Sequence, residues 1–300
     1  MKNLKLDAIR AAYERGENIT ELLREEGADS NSIEAIEIAY DLQSGTYING
    51  LLKDKRNFEE RAAEIGEILA LHVSYLDTFL DCGAGELTTL SGISHYLPMN
   101  TKMLAFDLSI SRLNTGLRFA SRAMRYDLFG GLEAFSASMD HIPLNDNSID
   151  VIFTNHSLEP NYGRELHILK ELLRVSRKKL LLFEPSFEDN SEEGQSRMKK
   201  LGYVRNLPKW IREAGGVIVD KFPLRCVSNR LNPTYCYVVE KEDRGLSFKL
   251  SEICFRCPIS HAELKDRGSY LWSRDGALAY PKINNISLLR SKDAILMFHE

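Results

Sequence analysis

Six consecutive residues, Asp81-Cys82-Gly83-Ala84-Gly85-Glu86, and an acid some twenty positions later, Asp107, form the constellation best suited to chemistry. Alternating glycines let a backbone turn tightly and admit a ligand where Cβ atoms would otherwise stand. An acid at the end of the following strand can accept hydrogen bonds from ribose hydroxyls. The pattern therefore suits a nucleoside cofactor. A dinucleotide's pyrophosphate settles at the positive end of a helix, where added carboxylates repel it. Here Asp81 and Glu86 flank the loop, and Thr88 replaces the third glycine of the dinucleotide fingerprint. An adenosyl group bearing an ammonium and a sulfonium, with no phosphate, matches two carboxylates better. S-adenosylmethionine is the expected cofactor, ahead of a dinucleotide or an unliganded turn. Cys82 reads as a small core side chain rather than a nucleophile.

These residues need strands and helices to hold them. Residues 4–70 carry apolar positions at helical spacing, with breaks near Gly27–Asn31, where Asp29 or Ser30 is a candidate cap, and at Ser44-Gly45-Thr46. From residue 77 the texture alternates. Short apolar runs at Thr78–Leu80, Met103–Phe106, Leu132–Ala137, Ile149–Phe153 and Lys179–Phe183 are separated by helical stretches. Gly216–Val219 and Tyr235–Val239 close the series. Repeated β–α units predict a doubly wound, mostly parallel seven-stranded α/β sheet, Rossmann-like, with ligands beyond the carboxyl ends of its strands. The helical crossovers stop near Lys241–Gly245. The expected organisation is a helical front segment or lid (1–70), a catalytic domain (71–241) and a small β-rich module (242–300).

Over roughly residues 70–240 the sequence resembles the class I S-adenosylmethionine-dependent methyltransferases. Their acidic-x-Gly-x-Gly motif is matched by Asp81, Gly83 and Gly85, with Ala84 inside it, and their ribose-binding acid by Asp107, with Leu108 beside it. The motif that contacts the adenine amino group is matched loosely by Ser138-Met139-Asp140-His-Ile-Pro143. Ser138 stands where the family has an acid, so Asp140 or the Met139 backbone is an alternative contact. Asn147–Asp150 followed by Val151–Asn155 resembles the family's fourth strand. The resemblance also implies that a front segment such as Tyr40–Tyr47 covers the cofactor, which adds Tyr40 and Tyr47 to the cofactor set; a plain helix corner is the other reading.

A methyl acceptor in such a fold lies at the fourth strand tip. Asn155, His156 and Glu159 are the candidate catalytic residues there, with Asn161 following. Imidazole is the side chain best able to take a proton near neutral pH as a hydroxyl or amine attacks the methyl. Asn155 would orient the acceptor; bracing of the loop backbone is the competing role for His156 and Glu159. Glu184, at the next strand end, adds an acid to the same edge, and Tyr203, Arg205 and Asn206 follow on a later loop.

Cys254 and Cys257 are spaced like metal ligands, but a structural tetrahedral zinc needs four, and no cysteine follows. From Cys257-Pro-Ile-Ser-His-Ala-Glu-Leu264 through Tyr270–Ser273, Leu278–Pro281 and Ile286–Leu289, the segment resembles the zinc-ribbon-like activator proteins that partner methyltransferases. Ser260 and Ser273 stand where that family has cysteines, so no metal is expected. The module would stabilise, dimerise or recognise substrate; a homodimer is one arrangement this allows.

Composition narrows the classes. An apolar share of 43% with 27% charged residues is an ordinary globular balance, and the net charge of −4 without a basic run leans against nucleic acid. No apolar stretch has membrane-spanning length, and five cysteines without a signal-like start suggest reduced thiols in a cytoplasm. The leading expectation is a methyltransferase acting on a hydroxyl or amine of a small-molecule or glycan-type (sugar) acceptor. An RNA or protein methyltransferase with a fused activator-like domain is the alternative, and a non-catalytic cofactor-binding protein the third.

Overall fold

The computed structural model describes residues 6–24, 27–227, 229–242 and 253–299. Among its described residues the front segment forms five helices, α1 (Leu6–Glu14), α2 (Ile19–Leu23), α3 (Ile33–Leu42), α4 (Thr46–Lys53) and α5 (Lys55–Ala70). Ile9, Ala12, Ile19, Leu23, Ala35 and Ala39 bury one another in a small core of their own. The cap of α3 is Ser32, whose hydroxyl accepts from the Ala35 amide. The expected caps, Asp29 and Ser30, fall short because the turn runs on to Ser32.

The alternating region gives β1 (Thr78–Cys82), α6 (Thr88–Ile93), β2 (Lys102–Asp107), α7 (Ile110–Ala123), α8 (Tyr126–Phe129), β3 (Glu133–Ser136) and β4 (Ile149–Asn155). It continues through α9 (Glu165–Val175), β5 (Ser176–Pro185), α10 (Glu192–Leu201), α11 (Leu207–Glu213), β6 (Gly216–Pro223) and β7 (Thr234–Lys241). Strand order across the sheet is β6-β7-β5-β4-β1-β2-β3; β1 to β5 run parallel, and β7 lies antiparallel between β5 and β6. The winding direction reverses between β1 and β4, which opens a crevice at their carboxyl ends. Both sheet faces are covered, so central strands are continuously apolar rather than alternating. Phe79, Val151, Phe153 and Leu181 face Ile65, Leu69 and Leu90 on one side. Leu80, Leu104, Ile152 and Leu182 face Ile168 and Leu172 on the other.

The sheet does not stop at seven strands. The C-terminal segment forms β8 (Lys265–Asp266), β9 (Tyr270–Ser273), β10 (Leu278–Ile283), β11 (Ile286–Leu288) and β12 (Ile295–Leu296), and β11 pairs parallel with β3. Cys257, Leu264, Leu271, Tyr280 and Leu289 join the same apolar cluster as one sheet face, and the Phe255 ring meets Phe135 edge-on at 5.1 Å. This segment therefore shares the main core. The expected boundary at Lys241–Gly245 lies mostly outside the described residues. Among the described residues no helix is long and apolar enough to cross a membrane.

Candidate functional site

The crevice at the strand ends is a cavity of about 630 Å³, the size of a cofactor or drug-sized ligand site. The glycine loop forms its floor. Gly83 has φ +78°, and a Cβ there would lie 2.4 Å from the Ser157 Cβ; at Gly85, φ +54°, a Cβ would lie 2.5 Å from the Arg112 guanidinium. At Gly83 a side chain would collide with the loop after β4, and at Gly85 it would adopt a strained φ and displace Arg112, so glycine is strongly favoured at both. The amides of Gly83 and Ala84 both donate to the Phe106 carbonyl, which ties the loop to β2. Asp107 completes the tie: Oδ2 accepts from the Gly85 amide at 2.9 Å and Oδ1 from the Ser109 amide at 2.8 Å.

Asp81 faces the same cavity with 3% of its surface exposed, and makes no hydrogen bond or ion pair among the described residues. Burial, reinforced by Asp107 nearby, pushes its carboxyl well above the usual range. Glu86 departs from expectation. Its carboxylate accepts from the amides of Gly45 (3.0 Å), Tyr47 (3.3 Å) and Ile48 (2.9 Å). It thus caps the N-terminus of α4 while also lining the cavity, and fastens the front segment to the glycine loop.

Tyr40 and Tyr47 line the cavity, and their rings hold a protein cation. The Arg112 guanidinium lies 5.1 Å from the Tyr40 ring centre and 4.6 Å from that of Tyr47. Leu108, Ser138, Met139 and Asp140 line the far wall. The Ser138 hydroxyl donates to Asp140 Oδ2 at 3.0 Å, and Arg164 pairs with that oxygen at 2.5 Å. Asp140 is thus neutralised from within the protein.

At the β4 tip the chain brings Asn155, His156 and Glu159 together. His156 sits at φ +54°, a left-handed conformation rare for a residue with a side chain. Its Nδ1 is 2.8 Å from Glu159 Oε2, which also accepts from Asn232 Nδ2 at 3.0 Å; its Nε2 is 2.6 Å from the Thr234 hydroxyl. Burial alone would raise the Glu159 carboxyl, but His156 and Asn232 hold it below its usual range. In the neutral ring the Nδ1 proton goes to Glu159, which leaves the Nε2 lone pair toward Thr234. Arg61 of α5 donates to the Thr234 hydroxyl at 3.2 Å and to Asn155 Oδ1 at 3.0 Å, while Asn155 Nδ2 donates to Thr89. Arg61 makes no ion pair among the described residues, and burial lowers its pKa.

Glu184, Tyr203, Arg205 and Asn206 lie outside the cavity wall. Glu184 instead accepts from the Ser157 and Leu158 amides beneath it, its Oε2 has no partner among the described residues, and burial pushes its carboxyl up to about 7. Arg205 stacks on Tyr162. Arg61, Asn232 and Thr234 were absent from the sequence expectations. The one local signal is Arg61's place on the face of α5 that carries Phe58, Ala62 and Ile65, where an apolar residue is the norm.

In the C-terminal segment, the Cys257 sulfur receives the amides of Ile259 (3.4 Å) and Ser260 (3.2 Å) and meets the Tyr280 hydroxyl at 3.2 Å. Ser260, Ser273 and Gly276 converge beside one another: the Gly276 amide donates to Ser273 Oγ at 3.1 Å, and a Cβ on Gly276 would stand 2.5 Å from Ser260 Oγ. Among the described residues no group of three or more His, Cys, Asp or Glu could hold a metal ion.

Neither a protein-family model nor a curated protein sequence matches the chain. Solved structures do match. A chain from the complex between the Haloferax volcanii Trm112 methyltransferase activator and a methyltransferase is 15% identical over 68% of this chain and 98% of its own, with a TM-score of 0.53. A SAM-dependent methyltransferase from Aquifex aeolicus is 19% identical over 58% of this chain and 88% of its own, with a TM-score of 0.45. The likeness to the first, at 15% identity, is one of fold: the chain has a mixed α/β architecture with a mostly parallel central sheet, Rossmann-like.

Proposed function

We propose that the protein binds S-adenosylmethionine in this cavity and transfers its methyl group to a hydroxyl or amine of a small-molecule or sugar-type acceptor. The observation that carries the reading is a pair of ionisable side chains of opposite type, Asp81 and Arg61, each lining the cavity without an ion-pair partner among the described residues. Buried charges need partners. The cofactor's amino-acid end supplies both: an ammonium for Asp81 and a carboxylate for Arg61. Asp107 keeps acceptor capacity for ribose hydroxyls beyond the two amides it binds, since a carboxylate offers about four lone-pair sites. Asp140 and the Met139 backbone wall the adenine side.

The bound cofactor would supply an electrophilic methyl on a positively charged sulfur. The protein's part is to place the acceptor and take its proton. His156 Nε2 is the atom that accepts that proton once the acceptor's hydroxyl or amine takes the place of the Thr234 hydroxyl on it, with Glu159 stabilising the charge left on the ring. Asn57, Asn229 and Asn232 on the cavity wall are neutral hydrogen-bonding groups suited to hydroxylated acceptors. The C-terminal segment is read as a metal-free relative of the activator proteins. Its addition to the β3 edge is the observation that favours the second reading, an RNA or protein methyltransferase carrying its activator in cis. A screen with methyl-labelled cofactor over sugar nucleotides, amino sugars and RNA separates the two. Label on a sugar or amine supports the first; label on RNA or protein alone supports the second.

A further inference from the structure

We propose that Arg290, in the C-terminal segment, is a positioning residue for the cofactor pocket: it locks helix α3 and the loop after β2 into one seat. The inference rests on the cofactor reading above. Pairing of Ser287 with Phe135 and Leu288 with Ser136, continued by the Leu289 amide donating to Ser136 O at 2.7 Å, delivers Arg290 past the β3 tip. That is the ligand-bearing edge of the sheet. Its guanidinium is almost wholly enclosed, and every edge is used. Nη1 donates to Glu37 Oε1 at 2.7 Å and to the Leu108 carbonyl at 3.0 Å; Nε and Nη2 take both oxygens of Asp293, at 2.6 and 2.9 Å.

The partners give this cluster its reach. Leu108 lines the cavity immediately after Asp107, and Glu37 lies on α3, the helix that sets Ile33, Ile36 and Tyr40 into the cavity wall. Lys292 also pairs with Glu37. On the same helix Asp41 accepts from the Ser109 hydroxyl at 2.7 Å and the Ser111 hydroxyl at 3.0 Å, at the positive N-terminus of α7. Helix α3 is therefore held over the adenosyl side twice, by α7 and by Arg290. A bidentate arginine–carboxylate cluster this enclosed is costly to break, since each charge would be left without its partner. The C-terminal segment and the cover of the pocket move as one, and cofactor affinity depends on a residue that does not line the pocket.

The test uses the full chain with Arg290→Met, Glu37→Gln and both together, titrated with S-adenosylhomocysteine by calorimetry, with melting temperatures taken without ligand. Each single variant should weaken binding by about tenfold, within the range of coupled sites, and the double variant should be no weaker than Arg290→Met alone. Arg290→Lys, which keeps one contact, should recover part of the loss. Unchanged affinity in folded Glu37→Gln, or losses that simply add in the double variant, overturn the proposal. Should the unaltered protein bind neither S-adenosylmethionine nor S-adenosylhomocysteine, the cofactor reading fails on its own. The lock is then read from amide exchange in residues 33–42. Exchange there must speed up in Glu37→Gln relative to residues 6–14, and no change overturns it.

Discussion

The Nδ1 atom of His156 lies 2.8 Å from Oε2 of Glu159, three residues on in the same loop, and this contact orients the imidazole. A ring so held points its other nitrogen at the Thr234 hydroxyl on the cavity wall, 2.6 Å away. If His156 is the base, His156→Ala should lower methyl transfer by roughly 10²–10⁴-fold while affinity for S-adenosylhomocysteine stays nearly constant. Steady-state rates beside calorimetry check this. A modest rate loss together with weakened binding and a lower melting temperature would assign His156 to bracing.

Asp107 should matter to binding through more than the ribose, because its carboxylate also holds the Gly85 and Ser109 amides. Asp107→Ala is expected to weaken S-adenosylhomocysteine by about 1–3 kcal/mol, the scale of a lost charged hydrogen bond, with some loss of melting temperature. Unchanged affinity by calorimetry would remove Asp107 from the cofactor site.

Glu184 gives a pH signature in stability. Burial raises its folded carboxyl to about 7 from an ordinary 4.5, so the folded state binds more protons than the unfolded state between those values. Its contribution is fully present below 4.5 and is lost as pH rises through 7. Denaturant melts of Glu184→Gln should decline less across that window than those of the unaltered protein. Parallel declines would show that Glu184 is not the group responsible.

Much of the glycine-loop side of the cavity was legible, because its constraints are local. A glycine forced into φ > 0 between a strand and a helix leaves a short signature, and so does an acid at the next strand tip. The wall at the β4 tip was legible only where the chain is continuous, from Asn155 to Glu159. Arg61 and Thr234 meet across 173 positions, and nothing near either residue announces the other. Glu86 has a second set of partners that its place beside the loop did not announce: three amides of the front segment donate to it. The pairing of β11 with β3 was illegible for the same reason as the Arg61 contact, since a parallel pairing of distant short strands has no local pattern.

The C-terminal segment should hold its shape without zinc. Cys257 already has its sulfur enclosed by two amides and Tyr280, and Ser260, Ser273 and Gly276 offer no thiolates. Elemental analysis of purified protein should find no stoichiometric zinc, and chelators should leave the melting temperature unchanged. One zinc per chain, lost in Cys254→Ser with Cys257→Ser, would contradict this.

The central claim is that Asp81 and Arg61 are the charges that wait for S-adenosylmethionine. Calorimetric titration of the unaltered chain, Asp81→Asn and Arg61→Met with S-adenosylhomocysteine, 5′-methylthioadenosine and NAD measures it directly. The account predicts that S-adenosylhomocysteine binds the unaltered chain tightest, and that each variant erases most of its advantage over 5′-methylthioadenosine, which lacks the amino-acid end. Tighter binding of NAD, or an advantage that survives in both variants, would contradict it.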